Sequence, residues 1–269
     1  MLTRIRTGFL LLFAGCLFLL VSHIPAVLLA VVCGLSALAM TELAEALGLK
    51  KLPMAITGVA LALMACCLDG LWRTLVLGAL FGFYLLSCWG IMAGLPGKKD
   101  FHPWEKLSLI LAPPVFLAVV WHLRRGDAGL YHLILPVLIC AATDTFAYFV
   151  GRQLGKHPLA PHISPKKTLE GAVGGTVLAL AMMVLLGLCL EWAGLARVRM
   201  NLLILYALTA SVVGQFGDLC LSAVKRVAGV KDFSDVLPGH GGILDRMDSC
   251  LLALPYTMLF IACFGPIIL

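Results

Sequence analysis

Charged side chains are scarce in this sequence. Only 13% of the 269 residues are Asp, Glu, Lys or Arg, 61% are hydrophobic, and the mean hydropathy is +1.03. Soluble domains carry charge on about a quarter of their residues, so this composition excludes a soluble globular protein. A bilayer core about 30 Å thick needs roughly 17 to 25 apolar residues per helix. The composition therefore predicts an all-α, polytopic transmembrane helical bundle.

Three other sequence patterns are absent, and each absence argues against one interpretation: a cysteine metal site, a two-fold-repeat transporter or a signal peptide. The ten cysteines show no CxxC or Cys/His ligand spacing, so we interpret them as small apolar residues rather than metal ligands. No internal repeat is present, which removes one indication of a transporter built from two similar halves. No small-residue cleavage site precedes His23, so we expect the first apolar run to be a span and not a signal peptide.

Long apolar runs, together with the distribution of Lys and Arg, predict the topology. With the N-terminus inside, three quarters of the 20 Lys and Arg residues fall on one side, and cytoplasmic loops carry such an excess. We therefore expect a cytoplasmic N-terminus, and we attribute much of the net charge of +6 to topology rather than to nucleic-acid binding. The predicted spans, about nine, lie near 7–22, 25–47, 53–69, 71–95, 106–123, 130–150, 169–192, 202–224 and 249–268.

Two aspartates, Asp144 and Asp218, fall inside predicted spans rather than at their last residue. A charge within the membrane is costly, so each is a functional hypothesis. Asp218, Ser222 and either Lys225 or Arg226 follow one another at helical spacing and line one stripe. The structural alternative is that Asp218 simply pairs with Lys225. Asp144 has no cation one turn away, so it must be protonated, meet a partner on another helix, or bind a cation.

The segment SAVKRVAGVKDFSDVLPGHGGILDRMD, residues 222–248, carries four acidic and four basic side chains. Its glycines and proline interrupt a helix and let backbone N–H groups approach a phosphate closely. Asp245 and Asp248 then open the ninth span at positions i and i+3. Two such carboxylates can cap a helix, but they also suit Mg²⁺, which prefers oxygen ligands, and we favour the metal.

Two further polar segments precede or follow predicted spans. HISPKKTLEG, residues 162–171, combines two lysines and two hydroxyls with a helix start, which suits an anion. An ordinary cluster of cytoplasmic lysines with a capping residue explains the same pattern, and both interpretations stay open. Glu42 and Glu45 end the second span, where we expect a solvated helix end; a contribution to a polar site is the alternative.

These segments together resemble one enzyme family. The residues from Ser222 to Asp248 match the signature of the phosphatidate cytidylyltransferases, also called CDP-diacylglycerol synthases, at many fixed positions. GDLCLS (217–222), SPKKTLEG (164–171) and DTFAYFVGR (144–152) resemble other polar segments of that family in the same order. The resemblance covers roughly residues 140–250. It implies N-terminal transmembrane helices over 1–130 and a catalytic region with a cytoplasm-facing polar site over 131–269, in one integral membrane unit.

The resemblance implies a reaction and its participants. The cytidylyl group of CTP would pass to phosphatidate, giving CDP-diacylglycerol and pyrophosphate, with Mg²⁺ and an optional second metal ion. CTP, phosphatidate and membrane lipid are the expected partners, and no nucleic acid is expected. The expected location is the bacterial inner membrane. Small helical enzymes of this kind often form homodimers, so a homodimer is a further expectation.

The resemblance also implies roles for particular residues, without dividing the phosphate-binding groups between CTP and the lipid. His240 would bind a phosphate or stabilise its own turn. The metal ligands would be Asp144, Asp218, Asp245 and Asp248. The catalytic residues would be Asp218, Lys225, Arg226, His240 and Asp245. The substrate-binding residues would be Ser164, Lys166, Lys167, Thr168, Ser222, Lys231, Gly241, Gly242 and Arg246.

Two other functions would also place acids and bases in membrane helices. A membrane kinase could transfer the γ-phosphoryl group of CTP to a polyprenol-like alcohol, and label at the γ position would distinguish it. An anion transporter is less favoured, because broken and repeated helices near the midplane are typical of that class.

Overall fold

The computed structural model describes residues 2–95, 97–126, 128–236 and 241–269. Within these ranges the chain forms nine helices and one small antiparallel sheet. The elements are α1 (Leu2–Val21), α2 (Pro25–Ala46), α3 (Lys51–Cys66), α4 (Gly70–Gly94), α5 (Pro103–Arg125), α6 (Gly129–Leu154), β1 (Pro158–Ala160), β2 (Ser164–Thr168), α7 (Leu169–Trp192), α8 (Met200–Val227) and α9 (Leu244–Phe264).

Most of these helices are long and apolar enough to cross a bilayer. Seven of them qualify among the described residues, namely α2 and α4 to α9. Helix α3 and the part of α1 from Gly8 onwards are apolar but shorter than a typical span. The chain is a polytopic helical membrane protein, as the composition predicts. The count of nine spans and the cytoplasmic N-terminus stay predictions.

Local sequence explains where several helices begin. Pro25 stands in the first turn of α2, where its missing N–H costs no hydrogen bond. Thr168 caps α7, because its hydroxyl oxygen accepts a hydrogen bond from the N–H of Gly171 at 3.2 Å. The capping start predicted for residues 162–171 is therefore confirmed.

The segment before α7 contains a hairpin that the sequence did not indicate. Strands β1 and β2 pair antiparallel, with Pro158 opposite Thr168 and Ala160 opposite Ser164. Strands this short carry little periodic signal, so the sequence pattern does not predict them. The hairpin places Lys166 and Lys167 on β2.

The chain divides into two compact units. The first unit comprises the chain up to Arg125 together with Ala223–Asp248. Within this unit α5 packs against α2, α3 and α4. The second unit comprises Gly126–Ser222 and Ser249–Leu269, and in it α6 packs against α7. The functional division at residue 130, predicted from the sequence, stays a prediction.

Small residues allow α6 and α7 to approach each other closely. A Cβ atom at Gly175 would lie 2.8 Å from the Cβ of Ala147 and 2.8 Å from the carbonyl oxygen of Thr143. Gly174 meets Val150 in the same way. Small residues at helix contacts are typical of membrane proteins, where packing replaces the hydrophobic effect between helices. This contact holds the start of α7, and therefore the hairpin before it, beside α6.

Candidate active site

The second unit contains a cluster of polar side chains, which we call the Asp144–Asp218 cluster. It consists of Asp144, Lys167, Asp218, Ser222 and Ser249. Lys167 Nζ donates a hydrogen bond to Asp218 Oδ2 and forms an ion pair with it. Ser222 Oγ donates to Asp218 Oδ1 at 3.2 Å, and Ser249 Oγ donates to Asp144 Oδ2 at 3.1 Å. Asp144 also lies within electrostatic range of Asp218 and Lys167.

Four elements bring these side chains together. Asp144 is on α6, Lys167 on β2 and Ser249 in the first turns of α9, whereas Asp218 and Ser222 are one turn apart on α8. The step from Asp218 to Ser222 in the predicted stripe is confirmed by their hydrogen bond, whereas Lys225, one of the two cations expected to follow, pairs with Asp245. Asp144 has a partner on another helix, which is one of the three outcomes that its sequence position allowed. The structural alternative for Asp218 was wrong, because its cation is Lys167 from the hairpin and not Lys225.

A chain of hydrogen-bonded hydroxyl and amide groups, buried or partly buried, adjoins the cluster in sequence. Thr143 Oγ1 donates to Ser211 Oγ at 2.9 Å, and the hydroxyl of Thr176 lies 3.0 Å from that of Ser211. Gln215 Nε2 donates to Thr176 Oγ1 at 2.9 Å. Buried polar groups need partners, and here they find them on one another across α6, α7 and α8. No sequence pattern indicated this network, although Thr143 precedes Asp144 directly.

The hairpin is held to the start of α7 by Glu170. One oxygen of its carboxylate accepts hydrogen bonds from the backbone N–H groups of Lys156 at 3.0 Å and His157 at 3.2 Å. The other oxygen lies 2.6 Å from His157 Nδ1. The two ends of the hairpin are thereby fixed, and Lys167 between them has a defined position. Lys166, by contrast, is exposed and Ser164 is partly buried.

The first unit contains a second polar arrangement, centred on Asp245. This carboxylate is 5% exposed, and its Oδ1 accepts a hydrogen bond from Lys225 Nζ at 2.7 Å. Its Oδ2 accepts from the N–H of Phe233 at 2.8 Å and from the N–H of Gly242 at 2.9 Å. The Lys225 ammonium also lies 5.5 Å from the centre of the Phe233 ring. Asp245 is thus occupied by three donors from its own chain.

Glu42 contradicts the expectation of a solvated helix end. It is 3% exposed, and its Oε1 accepts hydrogen bonds from Ser234 Oγ at 2.7 Å and from the N–H of Ile243 at 2.8 Å. Its Oε2 accepts from the N–H of Leu244 at 2.8 Å. These partners lie about 200 residues away in the chain, so no local pattern could have indicated them. Glu45 is solvated as expected, and its exposed carboxylate pairs with Lys51 at 2.8 Å.

Glu42 and Asp245 bind the same two stretches of chain, residues 233–234 and 242–244. We call this arrangement the carboxylate clasp. Glycine is required on one side of it: Gly241 has φ of +77°, and a Cβ at Gly242 would lie 2.6 Å from Glu42 Oε2. These two glycines were predicted to bind substrate. In the structure the backbone conformation of Gly241 and the contact of Gly242 with Glu42 each favour glycine, and the substrate role of both residues stays a prediction.

The remaining predicted site residues differ in their exposure to solvent. His240 lies outside the described residues. Asp248 and Gly241 are partly buried in the first unit. Arg226, Lys231 and Arg246 are exposed there. Thr168 is partly buried and caps α7, as described above. The structure therefore brings Asp144, Lys167, Asp218 and Ser222 into one cluster, and Lys225, Asp245 and Gly242 into another.

The fit of a metal ion differs between the two arrangements. Among the described residues, no group of three or more His, Cys, Asp or Glu side chains is arranged to hold a metal ion by itself. Mg²⁺ rarely needs such a group, since it commonly binds one or two carboxylates and completes its coordination shell with waters and substrate phosphates. Asp144 and Asp218, with two serine hydroxyls beside them, fit that description. Asp245, with three protein donors already bound, fits an anchoring role better.

A family model described as the cytidylyltransferase family matches residues 2–264. The chain is similar to the phosphatidate cytidylyltransferase of Bacillus subtilis (strain 168), with 36% identity over 192 residues that cover 70% of this chain and 68% of the relative. It is 43% identical over 135 residues to that of Staphylococcus haemolyticus (strain JCSC1435), covering 50% of each chain. It is 44% identical over 143 residues to that of Staphylococcus aureus (strain COL), covering 52% of this chain and 53% of the relative.

Proposed function

The chain belongs to the cytidylyltransferase family, and from this membership we propose that it transfers the cytidylyl group of CTP to phosphatidate, giving CDP-diacylglycerol and pyrophosphate. Three relatives named phosphatidate cytidylyltransferase support the choice of substrate. An integral membrane protein also suits a lipid acceptor whose two acyl chains stay in the bilayer. The comparisons give no support to the polyprenol kinase or to the anion transporter.

The observation that carries the proposal is the Asp144–Asp218 cluster. Two carboxylates and a lysine inside or beside membrane helices are expensive to maintain, so they indicate chemistry rather than packing. Transfer between phosphates requires little covalent catalysis and much neutralisation of charge. A site that combines carboxylates for a metal ion with an ammonium group for phosphate oxygens meets that requirement.

The proposed reaction forms one P–O bond and breaks another. An oxygen of the lipid phosphate attacks the α-phosphorus of CTP in line and forms a new P–O bond. The bond from the α-phosphorus to the bridging oxygen of the β-phosphate breaks, and pyrophosphate leaves with that electron pair. The nucleophile is already an anion, so the chain needs to orient it rather than to remove a proton. Positioning of this kind accounts for a large part of the acceleration in many enzymes.

We assign Lys167 to the phosphates. Its ammonium group has three N–H donors, so it can hold a phosphate oxygen while it remains near Asp218. Ser222 orients the Asp218 carboxylate by its hydrogen bond to Oδ1. Ser164, Lys166 and Thr168 stay predicted substrate contacts from the same hairpin.

Asp144 and Asp218 would hold Mg²⁺. When bound, the ion would neutralise charge on the triphosphate and on the leaving pyrophosphate. Asp245 and Asp248, in the first unit, stay predicted metal ligands, and Asp245 already accepts three hydrogen bonds. The family reaction uses a nucleotide and in general a divalent cation; the choice of magnesium is our proposal.

The first unit also contains candidate phosphate-binding groups. Its candidates are Lys225, Arg226, Lys231, Gly241, Gly242 and Arg246, together with His240. Lys225 is buried and paired with Asp245, so we expect it to act from a fixed position. We also propose that the substrates reach the protein from the cytoplasm, that the protein resides in the inner membrane, and that it forms a homodimer.

Transfer of label from CTP tests the proposed reaction. Purified protein in mixed micelles of detergent and phosphatidate is given CTP labelled at the α-phosphate, with and without Mg²⁺. We expect lipid-extractable label only when Mg²⁺ and phosphatidate are both present. Appearance of γ-label in a lipid, with no transfer of α-label, would contradict the proposal and establish the kinase instead.

A further inference from the structure

A loop of the first unit is held by a side chain that enters from a distant helix. The loop runs between α8 and α9, and its described parts end at Val236 and resume at Gly241. Glu42, near the end of α2, binds Ser234 on the way into the loop and binds Ile243 and Leu244 on the way out. A single carboxylate therefore ties both ends of the loop to α2.

The hydrogen bonds to Glu42 are strong for their kind. All three are between 2.7 and 2.8 Å, and bonds to an ionised acceptor are about twice as strong as neutral ones. Two of the donors are backbone N–H groups at the start of α9, where the partial positive charge of the helix dipole also favours a carboxylate. Among the described residues Glu42 forms no ion pair, so these three donors stabilise its buried charge.

The loop is held from a second direction by Asp245. This residue binds the N–H groups of Phe233 and Gly242, which are sequence neighbours of Ser234 and Ile243. Asp245 is itself fixed by Lys225. The base of the loop is therefore defined by two carboxylates, of which only Asp245 belongs to the signature segment. Loss of Glu42 would leave the loop attached on one side alone.

We propose that Glu42 is a positioning residue for cytidylyl transfer, which it serves by fixing residues 233–234 and 242–244 through its hydrogen bonds from Ser234, Ile243 and Leu244. This inference rests on the proposed function. Residues in and beside that loop, among them Lys231, Gly241 and Gly242, are our candidates for phosphate binding. Glu42 touches no substrate in this account. It sets the position of groups that do.

The fit of Glu42 against Gly242 supports a positional role. Its carboxylate occupies the place of the missing Gly242 side chain, since a Cβ there would lie 2.6 to 2.7 Å from both oxygens and the carboxyl carbon. Such close packing leaves Gly242 little freedom to shift. Glutamine has the same shape as glutamate, but its amide nitrogen would face an N–H donor in place of an acceptor oxygen. Glu42→Gln is therefore a change of chemistry with almost no change of volume.

The test compares Glu42→Gln with Glu45→Gln, which makes the same change three residues further along α2 at an exposed position. The KM for CTP and kcat are measured for both variants with saturating phosphatidate. Amide hydrogen exchange is measured on peptides that cover residues 241–248. For Glu42→Gln we expect a rise in the KM for CTP of about fivefold to tenfold and faster exchange confined to that peptide. Glu45→Gln should match the unchanged protein in both measurements.

The KM separates positioning from simple loss of folded protein. Fewer folded molecules lower the maximal rate but leave the KM for CTP unchanged. An unchanged KM in Glu42→Gln, or an unchanged exchange rate at 241–248, would overturn the proposal. If Glu42→Gln does not fold, Ser234→Ala removes one of the three hydrogen bonds and should raise the KM by about twofold; no rise would be equally decisive. Inactivity of the unchanged protein would instead contradict the proposed function.

Discussion

At the scale of single residues, two carboxylates of the signature segments have different surroundings. Asp218 is bound by one lysine and one hydroxyl, and its side chain is 19% exposed. Asp245 is bound by a lysine and two backbone N–H groups, and its side chain is 2% exposed. Sequence spacing alone treats them as equivalent metal ligands. Their contacts favour coordination by Asp218 and anchoring by Asp245.

This difference predicts different effects of the same substitution. Asp218→Asn should abolish detectable transfer of label, while the thermal unfolding midpoint in detergent stays within a few degrees of the unchanged protein. Asp245→Asn should lower the midpoint clearly, because it leaves Lys225 buried without its counter-charge. Breaking a buried pair in this way costs about 3 to 5 kcal/mol. Unfolding scans and the α-label assay on both variants provide the measurement.

A neutral control for these variants is Asp69→Asn. Asp69 is exposed just before α4 and makes no side-chain capping bond there. It should retain both activity and stability. Substantial transfer by Asp218→Asn would show that the metal assignment is wrong, and an unchanged midpoint for Asp245→Asn would contradict the anchoring role.

At the scale of elements, the contact between α6 and α7 positions the hairpin that carries Lys167. The contact depends on small residues, because the backbones approach closely at Gly171 and Gly175. Glu170 and Thr168 then join the hairpin to the start of α7. The position of Lys167, which we propose binds phosphate, is thus decided by the packing of two helices that contain no lysine themselves.

Enlarging Gly175 should therefore weaken this contact. Gly175→Ala adds a Cβ that would lie 2.8 Å from Ala147 and from the Thr143 carbonyl, so the helices must separate slightly. Overpacking of this kind costs about 1 to 3 kcal/mol. Gly82→Ala is the matched control, since it makes the same change inside α4 with no atom within 4 Å. Unfolding midpoints in detergent should fall for Gly175→Ala and stay level or rise for Gly82→Ala; equal midpoints would contradict the packing argument.

At the scale of the whole molecule, the distribution of Lys and Arg predicts which loops face the cytoplasm. The α4–α5 connection should be cytoplasmic and the α7–α8 connection should be outside. Lys99 and Ala193 are exposed residues in these two connections. Either can carry a single cysteine in a protein from which the ten native cysteines have been removed.

Labelling by a membrane-impermeant maleimide checks this topology. Lys99→Cys should react in inside-out vesicles and be protected in right-side-out vesicles, and Ala193→Cys should show the opposite pattern. Detergent-solubilised protein, in which both cysteines should react, controls for local accessibility. Reaction of both cysteines from the same side would rule out the predicted orientation of α5 to α7.

The sequence by itself determined the membrane class, the approximate bounds of the helices and the segments that carry chemistry. These depend on local properties: long apolar runs form helices in lipid, and charged residues within them stand out because they are costly. Only the tertiary structure decided the partners. Lys167 rather than Lys225 meets Asp218, Asp245 binds a loop, and Glu42 is buried against a segment about 200 residues away. Such pairings depend on which helices pack together, and the sequence of one helix does not indicate which other helices pack against it.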